Sequence, residues 1–284
     1  MEIINRKQRM AWIARKLRRE SKTVGFVPTM GALHEGHLTL VKEARQMSDV
    51  VIVSIFVNPS QFGPGEDFEK YPRDLAADAA LLAEYEVDYV FAPDTDEIYG
   101  EGFSTYVYVE GLTETLEGAS RPGHFRGVAT VVTILLNTVR PDFAFFGSKD
   151  AQQVGVVKKL TRDLGFETEI VVVPTVREES GLAMSSRNAY LTDEERKKAS
   201  IIYLALRDAK IAFKNGERNG STIAQIVESK IASEPLARID YVAVVDNDAL
   251  EPIDKIEDTE VLVAVAVRFG KVRLIDNIVL NRRQ

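Results

Sequence analysis

Apolar positions along the first 175 residues follow two alternating rhythms. Residues 23–29 (TVGFVPT) and 49–57 (DVVIVSIFV) are strand-length and nearly all apolar, as strands covered on both faces are. Between them, residues 36–47 place Leu38, Val41 and Ala44 on one side of a helix. The alternation continues with a helix over 73–86 (Leu75, Ala79, Leu82), a strand over 87–92 closed by Pro93, and a further strand over 105–110. A helix over 126–140 is stopped by Pro141; then come a strand at 142–146, a helix at 151–164 with Gly165 as its C′ residue, and a strand at 167–173. Residues 6–19 are rich in Arg and Lys, yet Met10, Ile13 and Leu17 mark one face of an amphipathic surface helix rather than a transit segment.

Repeated strand–helix–strand units predict an α/β fold with a doubly wound parallel sheet. Such sheets bind ligands beyond the carboxyl ends of their strands, so the loops after Val27, Val57, Phe146 and Val173 draw attention. After residue 176 the pattern changes. Thr192 with Glu195 predicts a capping box opening a long helix that ends at Asn215 and Gly216. A second helix at 221–232 follows, then strands at 239–245, 261–268 and 272–279, the last two joined by a turn at Phe269-Gly270-Lys271. This order predicts two domains, 1–176 and a smaller C-terminal α+β domain over 177–284.

Composition narrows the chemistry. The 284 residues include no cysteine, which excludes disulfides, thiolate zinc sites, iron–sulfur clusters and cysteine nucleophiles. Asp and Glu total 43 against 36 Lys and Arg, a net charge of −7, which argues against a protein that grips nucleic-acid backbone. No apolar stretch approaches the roughly 20 residues of a membrane helix, and the start of the chain lacks a signal-peptide core. The P-loop pattern, the dinucleotide glycine fingerprint after the first strand and the nucleophile-elbow pattern are all absent from the sequence.

Five segments could carry chemistry. Residues 28–37 (PTMGALHEGH) lie between the first strand and its helix and hold two of the three histidines. Helix N-termini favour anions, so imidazole donors there suit a nucleotide's phosphates and the charge on a departing pyrophosphate. The competing readings are a zinc site made by His34, His37 and His124, or histidines with no chemistry at all. Residues 146–153 place Lys149 where a helix starts; alone, it reads equally as a solvated turn lysine. Residues 181–188 offer two hydroxyls and an arginine that could close over a triphosphate, or simply form an interdomain linker. Residues 58–63 and 120–127 are the remaining two; a long Gly/Pro loop in a compact sheet domain is more often functional than not.

His34-Glu35-Gly36-His37 resembles the HxGH signature of the adenylate-forming and nucleotidyl-transferring α/β superfamily, and residues 184–188 (MSSRN) resemble its mobile phosphate loop. Longer runs are more specific. PTMGALHEGH, FVNPSQFG, YPRDL, RPGHFRGVATVV, FGSKDAQQ, PTVRE and GLAMSSRN occur in the order found in the pantoate–β-alanine ligase family, and the resemblance spans essentially the whole chain. It implies a Rossmann-like sheet of HxGH type, with the phosphate loop at the start of the C-terminal domain. It also implies a two-step reaction in which pantoate and ATP form pantoyl adenylate, which β-alanine converts to pantothenate and AMP. It further implies Mg2+ as the companion of ATP, a cytoplasmic homodimer, and small-molecule partners with neither nucleic acid nor membrane.

Carried over by position, the resemblance puts Met30, Gly31, Ala32, Leu33, His34, Glu35, Gly36 and His37 in the ATP site, with His34 and His37 on the phosphates and His37 as catalytic donor. Gly147, Ser148, Lys149 and Asp150 touch ATP, and Val176, Met184, Ser185, Ser186 and Arg187 complete the site, with Lys149 and Arg187 as catalytic cations. Gln61 and Gln153 hold pantoate, Gln61 borders β-alanine, and Arg121 lies at the mouth of the site. Ala151 departs from the tyrosine that the family commonly carries there. Metal ligands are not assigned, with Asp78 a candidate. The chemistry of the side chains agrees: neutral amides orient a carboxylate nucleophile without quenching it, and cations gather where pyrophosphate leaves. Met30 and Phe62 would suit as apolar walls for pantoate's gem-dimethyl group. Two alternatives share the HxGH motif: a nucleotidyltransferase acting on a phosphate acceptor, and a non-catalytic nucleotide- or RNA-binding module.

Overall fold

The computed structural model describes residues 1–257 and 260–281. The chain divides into two compact units, Met1–Ser148 with Gln152–Pro174, and Lys149–Ala151 with Thr175–Gln284.

In the first unit, β1 (Glu2–Ile4), β2 (Val24–Thr29), β3 (Val50–Ile55), β4 (Tyr89–Phe91), β5 (Phe143–Gly147) and β6 (Glu169–Val173) alternate with α1 (Lys7–Arg19), α2 (Glu35–Met47), α3 (Leu75–Ala83), short α4 (Thr95–Ile98) and α5 (Leu116–Ser120), α6 (His124–Val139) and α7 (Ala151–Asp163). The strands lie in the order β1-β4-β3-β2-β5-β6, and every pairing is parallel. The chain builds outward from β2 through β3 to β4, then returns to place β5 on the other side of β2, so the topological switch point lies between β2 and β5. Successive residues serve opposite faces. Phe26 and Ile52 join a core with Met10 and Ile13 of α1 and Val128 and Leu135 of α6, whereas Val27, Val51 and Val53 join another with Val41 and Ala44 of α2 and Leu82 of α3. Both faces are covered, which is why these strands read as unbroken apolar runs.

One expected strand is absent here and one unexpected strand is present. Residues 105–110 form no strand: Val107 N donates to Thr130 Oγ1 of α6 (3.0 Å), and Val109 is buried while Tyr106 and Tyr108 are exposed. The alternation reflects an extended segment lying on a helix, without a ladder. Conversely β1, three residues with only Ile4 buried, is too short to show a period.

The second unit holds α8 (Asp193–Ala199), α9 (Ile201–Lys214), α10 (Gly220–Ala232) and an antiparallel sheet, β7 (Ala237–Asp246), β8 (Val261–Phe269) and β9 (Val272–Leu280), in the order β7-β8-β9. Alternate β8 residues Val261, Val263, Val265 and Val267 pack with Ile202, Leu206, Ile223 and Val227 of the helices. The Thr192–Glu195 capping box is present (Glu195 N to Thr192 Oγ1, 3.2 Å; Thr192 N to Glu195 Oε2, 2.8 Å). The single long helix is instead two, broken at Ser200, whose hydroxyl donates to the Lys197 carbonyl (2.8 Å) in competition with the helical ladder.

Candidate active site

The loop from β2 to α2 turns through two successive left-handed residues, Gly31 (φ 78°) and Ala32 (φ 50°). A side chain at Gly31 is doubly disfavoured, because a Cβ there would lie 2.8 Å from Asp78 Oδ2. Asp78, buried on α3, accepts from Ala32 N (3.0 Å) and Leu33 N (2.8 Å), one amide on each oxygen. Burial raises its carboxyl above the usual range, against the pull of those two amides. Each oxygen of Asp78, the magnesium candidate of the sequence reading, thus accepts one main-chain amide that holds the loop. Among the described residues, no group of three or more His, Cys, Asp and Glu side chains could hold a metal ion. The described residues thus present no ligand cage of their own for Mg2+.

His34 caps α2. Its Nδ1 accepts from Gly36 N (3.1 Å), while His37 Nδ1 accepts from His34 N (3.3 Å), a capping box made of two imidazoles whose ring centres lie 4.1 Å apart. With both Nδ1 atoms accepting, each neutral ring carries its proton on Nε2. Two donors are therefore set at a helix N-terminus, beyond the carboxyl end of β2 at the switch point. Glu35 is exposed and pairs with Lys42 (2.8 Å).

A second assembly surrounds Gln61. Its side-chain Oε1 accepts from Asn58 Nδ2 (3.0 Å), and its Nε2 approaches Met30 Sδ (3.2 Å). Buried Asn58 is itself locked, receiving the Tyr99 hydroxyl (2.6 Å) and Ser60 Oγ (2.9 Å) and donating to Gly127 O (3.2 Å). Gly127 has to be glycine, since a Cβ would meet Ser60 O at 2.2 Å. The main-chain carbonyl of Gln61 receives His124 Nδ1 (2.8 Å) and Arg121 Nη2 (3.3 Å). Arg121 Nη1 also lies 3.2 Å from His124 Nε2; arginine only donates, so Nε2 accepts and Nδ1 carries the proton. Burial, and behind it the charge of Arg121, push His124 down to about 4 and keep it neutral. Arg121 in turn forms a two-pronged pair with Glu66 (2.7 and 2.6 Å). Burial works to raise the Glu66 carboxyl, but the hydrogen bonds and charge of Arg121 outweigh it and hold the group low. His124 therefore stands with Gln61 and Arg121, and the three histidines make no zinc site. Phe62 packs edge-on against Phe68 and Tyr71.

The two glutamines that open α7 divide their tasks. Gln152 is buried; its Nε2 donates to the carbonyls of Leu112 and Thr115 (2.8 Å each) and its Oε1 accepts from Glu117 N (2.9 Å), so it anchors the 112–117 segment. Gln153 is only half-buried. Sequence reasoning missed Tyr99 and Glu66, and gave no role to Asn58 or Gln152 although both stand within segments it singled out. The adjacent glutamines were visible, but nothing local says which one faces inward.

In the second unit, Lys149 and Asp150 form an ion pair (3.7 Å). Residues 176–184 fold back on themselves, with Met184 N donating to Val176 O (2.9 Å) and Glu178 N to Leu182 O (2.9 Å). Ser185 caps the following turn, accepting from Arg187 N (3.3 Å), and leaves Ser186 and Arg187 half-buried. Asn188 donates to Ala183 O (3.1 Å) and to Glu178 (2.9 Å), which pairs with Arg196. Both flanks of the expected phosphate loop are thus tied down. Among the sequence-based candidates, Met30 to His37, Gln61 and Gln153 fall in the first unit with Gly147 and Ser148; Lys149, Asp150, Val176 and Met184 to Arg187 fall in the second.

The family model described as pantoate-beta-alanine ligase matches residues 2–279. Pantothenate synthetase of Carboxydothermus hydrogenoformans is 59% identical over 265 residues, 93% of each chain. That of Caldicellulosiruptor bescii is 52% identical over 283 residues, spanning 100% of both. Among solved structures, pantothenate synthetase from Thermus thermophilus superposes with a TM-score of 0.91 at 49% identity, covering 98% of this chain and 99% of that one. The Francisella tularensis ligase, solved with beta-gamma ATP and beta-alanine, gives 0.81 at 38% identity, covering 98% and 97%. The sequence motifs, the sheet order and these likenesses agree, and the chain belongs to the pantoate–β-alanine ligase family.

Proposed function

We propose that this ligase condenses (R)-pantoate with β-alanine through a pantoyl adenylate. A pantoate carboxylate oxygen attacks the α-phosphorus of ATP, the bond to the bridging oxygen breaks, and pyrophosphate leaves. The β-alanine amine then attacks the acyl carbon, the carbon–oxygen bond to AMP breaks, and the amine loses a proton as the amide of pantothenate forms. The observation that carries this reading is the imidazole pair at the start of α2, fixed through Nδ1 so that each neutral ring bears a donor on Nε2. Donors already oriented toward developing charge need no rearrangement when that charge appears.

In this reading His34 and His37 donate to the phosphates, His37 being the catalytic donor, and Lys149 and Arg187 neutralise the departing pyrophosphate. The backbone of Met30 to Gly36, with Gly147, Ser148, Asp150, Val176, Met184, Ser185 and Ser186, cradles the rest of ATP. Glu35 contributes its main chain, since its carboxylate turns to Lys42. Gln61 and Gln153 orient pantoate, and Gln61 also borders β-alanine. Fixing acid and α-phosphorus in line supplies much of the rate. Magnesium would enter as the companion of ATP, with phosphate oxygens and water as its ligands. By its resemblance to the family the enzyme is a cytoplasmic homodimer, which sedimentation equilibrium checks for the dimer.

Isotope exchange tests the order of events. ATP–pyrophosphate exchange should require pantoate and proceed without β-alanine, while AMP release at full rate should need all three substrates. Exchange in the absence of pantoate, or ADP as product, would overturn the reading. No observation favours the nucleotidyltransferase alternative, whose phosphate acceptor calls for a further basic residue near Gln61.

A further inference from the structure

Strand β9 carries two buried polar residues side by side, Asp276 and Asn277, where its other buried positions include Val272, Leu274 and Leu280. A carboxylate and a carboxamide lose hydration in such a place, so their partners are informative. Asp276 accepts from Arg177 Nη1 (2.6 Å) and Nη2 (3.0 Å) and from Asn277 N (2.8 Å). Arg177, stacked 4.4 Å over the Tyr203 ring, also donates to Gly181 O (3.1 Å), where residues 181–188 begin. Asn277 Nδ2 donates to the main-chain carbonyl of Lys149 (2.8 Å), a bond joining positions 128 apart in sequence.

We propose that Asp276 and Asn277 are positioning residues for adenylate formation: Asn277 fixes the peptide that bears Lys149, and Asp276, through Arg177, fixes the entry to the segment bearing Ser185, Ser186 and Arg187. Neither side chain touches substrate. A lysine ammonium rides on a flexible four-carbon stem, so the reach of its charge is set by where its backbone is held. The isolated buried pair in β9 gives the C-terminal unit a direct part in the first half-reaction. The inference rests on the assignment of Lys149 to the triphosphate, and the test separates the two.

Full-length N277A, N277D, K149A and the double variant K149A/N277A are compared by ATP–pyrophosphate exchange, steady-state kinetics and thermal melting. N277A should lower kcat/KM for ATP about tenfold, within the range expected when a catalytic group is misplaced by a fraction of an ångström. KM for pantoate should stay within about twofold. N277D keeps the shape but sets an oxygen against the Lys149 carbonyl, and should be slower than N277A. If Asn277 acts through Lys149, K149A/N277A will be no slower than K149A alone. D276N should raise KM for ATP with pantoate unaffected. Should N277A melt early, N277S, which keeps a donor, takes its place and should retain most of the rate. Wild-type kinetics in N277A, an equal rise in KM for ATP and for pantoate, or a full N277A penalty multiplied onto K149A would each overturn the inference while leaving the Lys149 assignment intact. K149A turning over at the wild-type rate would remove that assignment and the inference with it.

Discussion

The β2–α2 loop and the 176–188 segment both carry candidate phosphate-binding groups, and each is held by a buried carboxylate supplied from elsewhere. They are held differently. Asp78 has bare main-chain amides on both its oxygens, whereas Asp276 works through a two-pronged pair with Arg177, which passes the hold to Gly181. Where a carboxylate lies close to the loop it can bind the backbone directly; where it does not, a long guanidinium bridges the gap. The first arrangement places a charge beside neutral donors, so burial tells on its titration; the second pairs charge with charge.

The largest expected effect tests whether the β2–α2 loop and Lys149, whose peptide Asn277 holds, serve the same chemistry. H37A and K149A should each lower kcat by about 10²–10³, the range for one lost transition-state donor, with urea midpoints little changed. A K149A protein that unfolds early yet turns over normally would leave the contrast one of scaffolding alone.

A third support, the imidazole beneath Gln61, adds the case of a neutral donor. Folded His124 takes a proton only at about 4, against an ordinary value of 6.5 when unfolded. Acid therefore favours the unfolded chain through that window, and stability contributed by this group at neutral pH is lost as pH falls from 6.5 to 4, by about 3 kcal/mol in all. H124N keeps a donor but has no such titration, so urea unfolding between pH 7 and pH 4 should show a flatter decline than wild type by about that amount.

Smaller again is D78N, which sets an NH2 group against an amide that had a carboxylate oxygen. Stability should fall by about 1–3 kcal/mol in urea, and KM for ATP should rise more than KM for pantoate. An equal rise in both would mean that Asp78 supports the whole unit rather than its loop. The smallest effect belongs to E35Q: its exposed pair with Lys42 is screened by solvent, so the urea midpoint should stay near wild type, and kcat should stay within about twofold if only the main chain of Glu35 serves ATP.

What the sequence made legible was local. Unbroken apolar runs in β2 and β3 announced a sheet covered on both sides, and two histidines beside glycines announced a helix start able to receive anions. Supports that act at a distance left no local trace. Asp78 reaches amides 45 and 46 positions away, Glu66 reaches Arg121 across 55, and Gln152 reaches Leu112 across 40. One sequence has no period that marks such pairs. The false strand at 105–110 fails for a related reason: alternation reports that one side of an extended segment is buried, and says nothing about whether a neighbouring strand is there to pair with.

The grouping of residues 149–151 with the C-terminal unit bears on recombining relatives of this enzyme. A crossover at residue 175 respects every boundary visible in the primary sequence, yet it brings together a residue 277 and a residue 149 of different parentage. Because that bond reads a peptide carbonyl, any side chain at 149 satisfies it, but the residue at 277 has to present a donor. Chimaeras should therefore be sorted by what stands at 277 rather than by their overall percentage of shared residues.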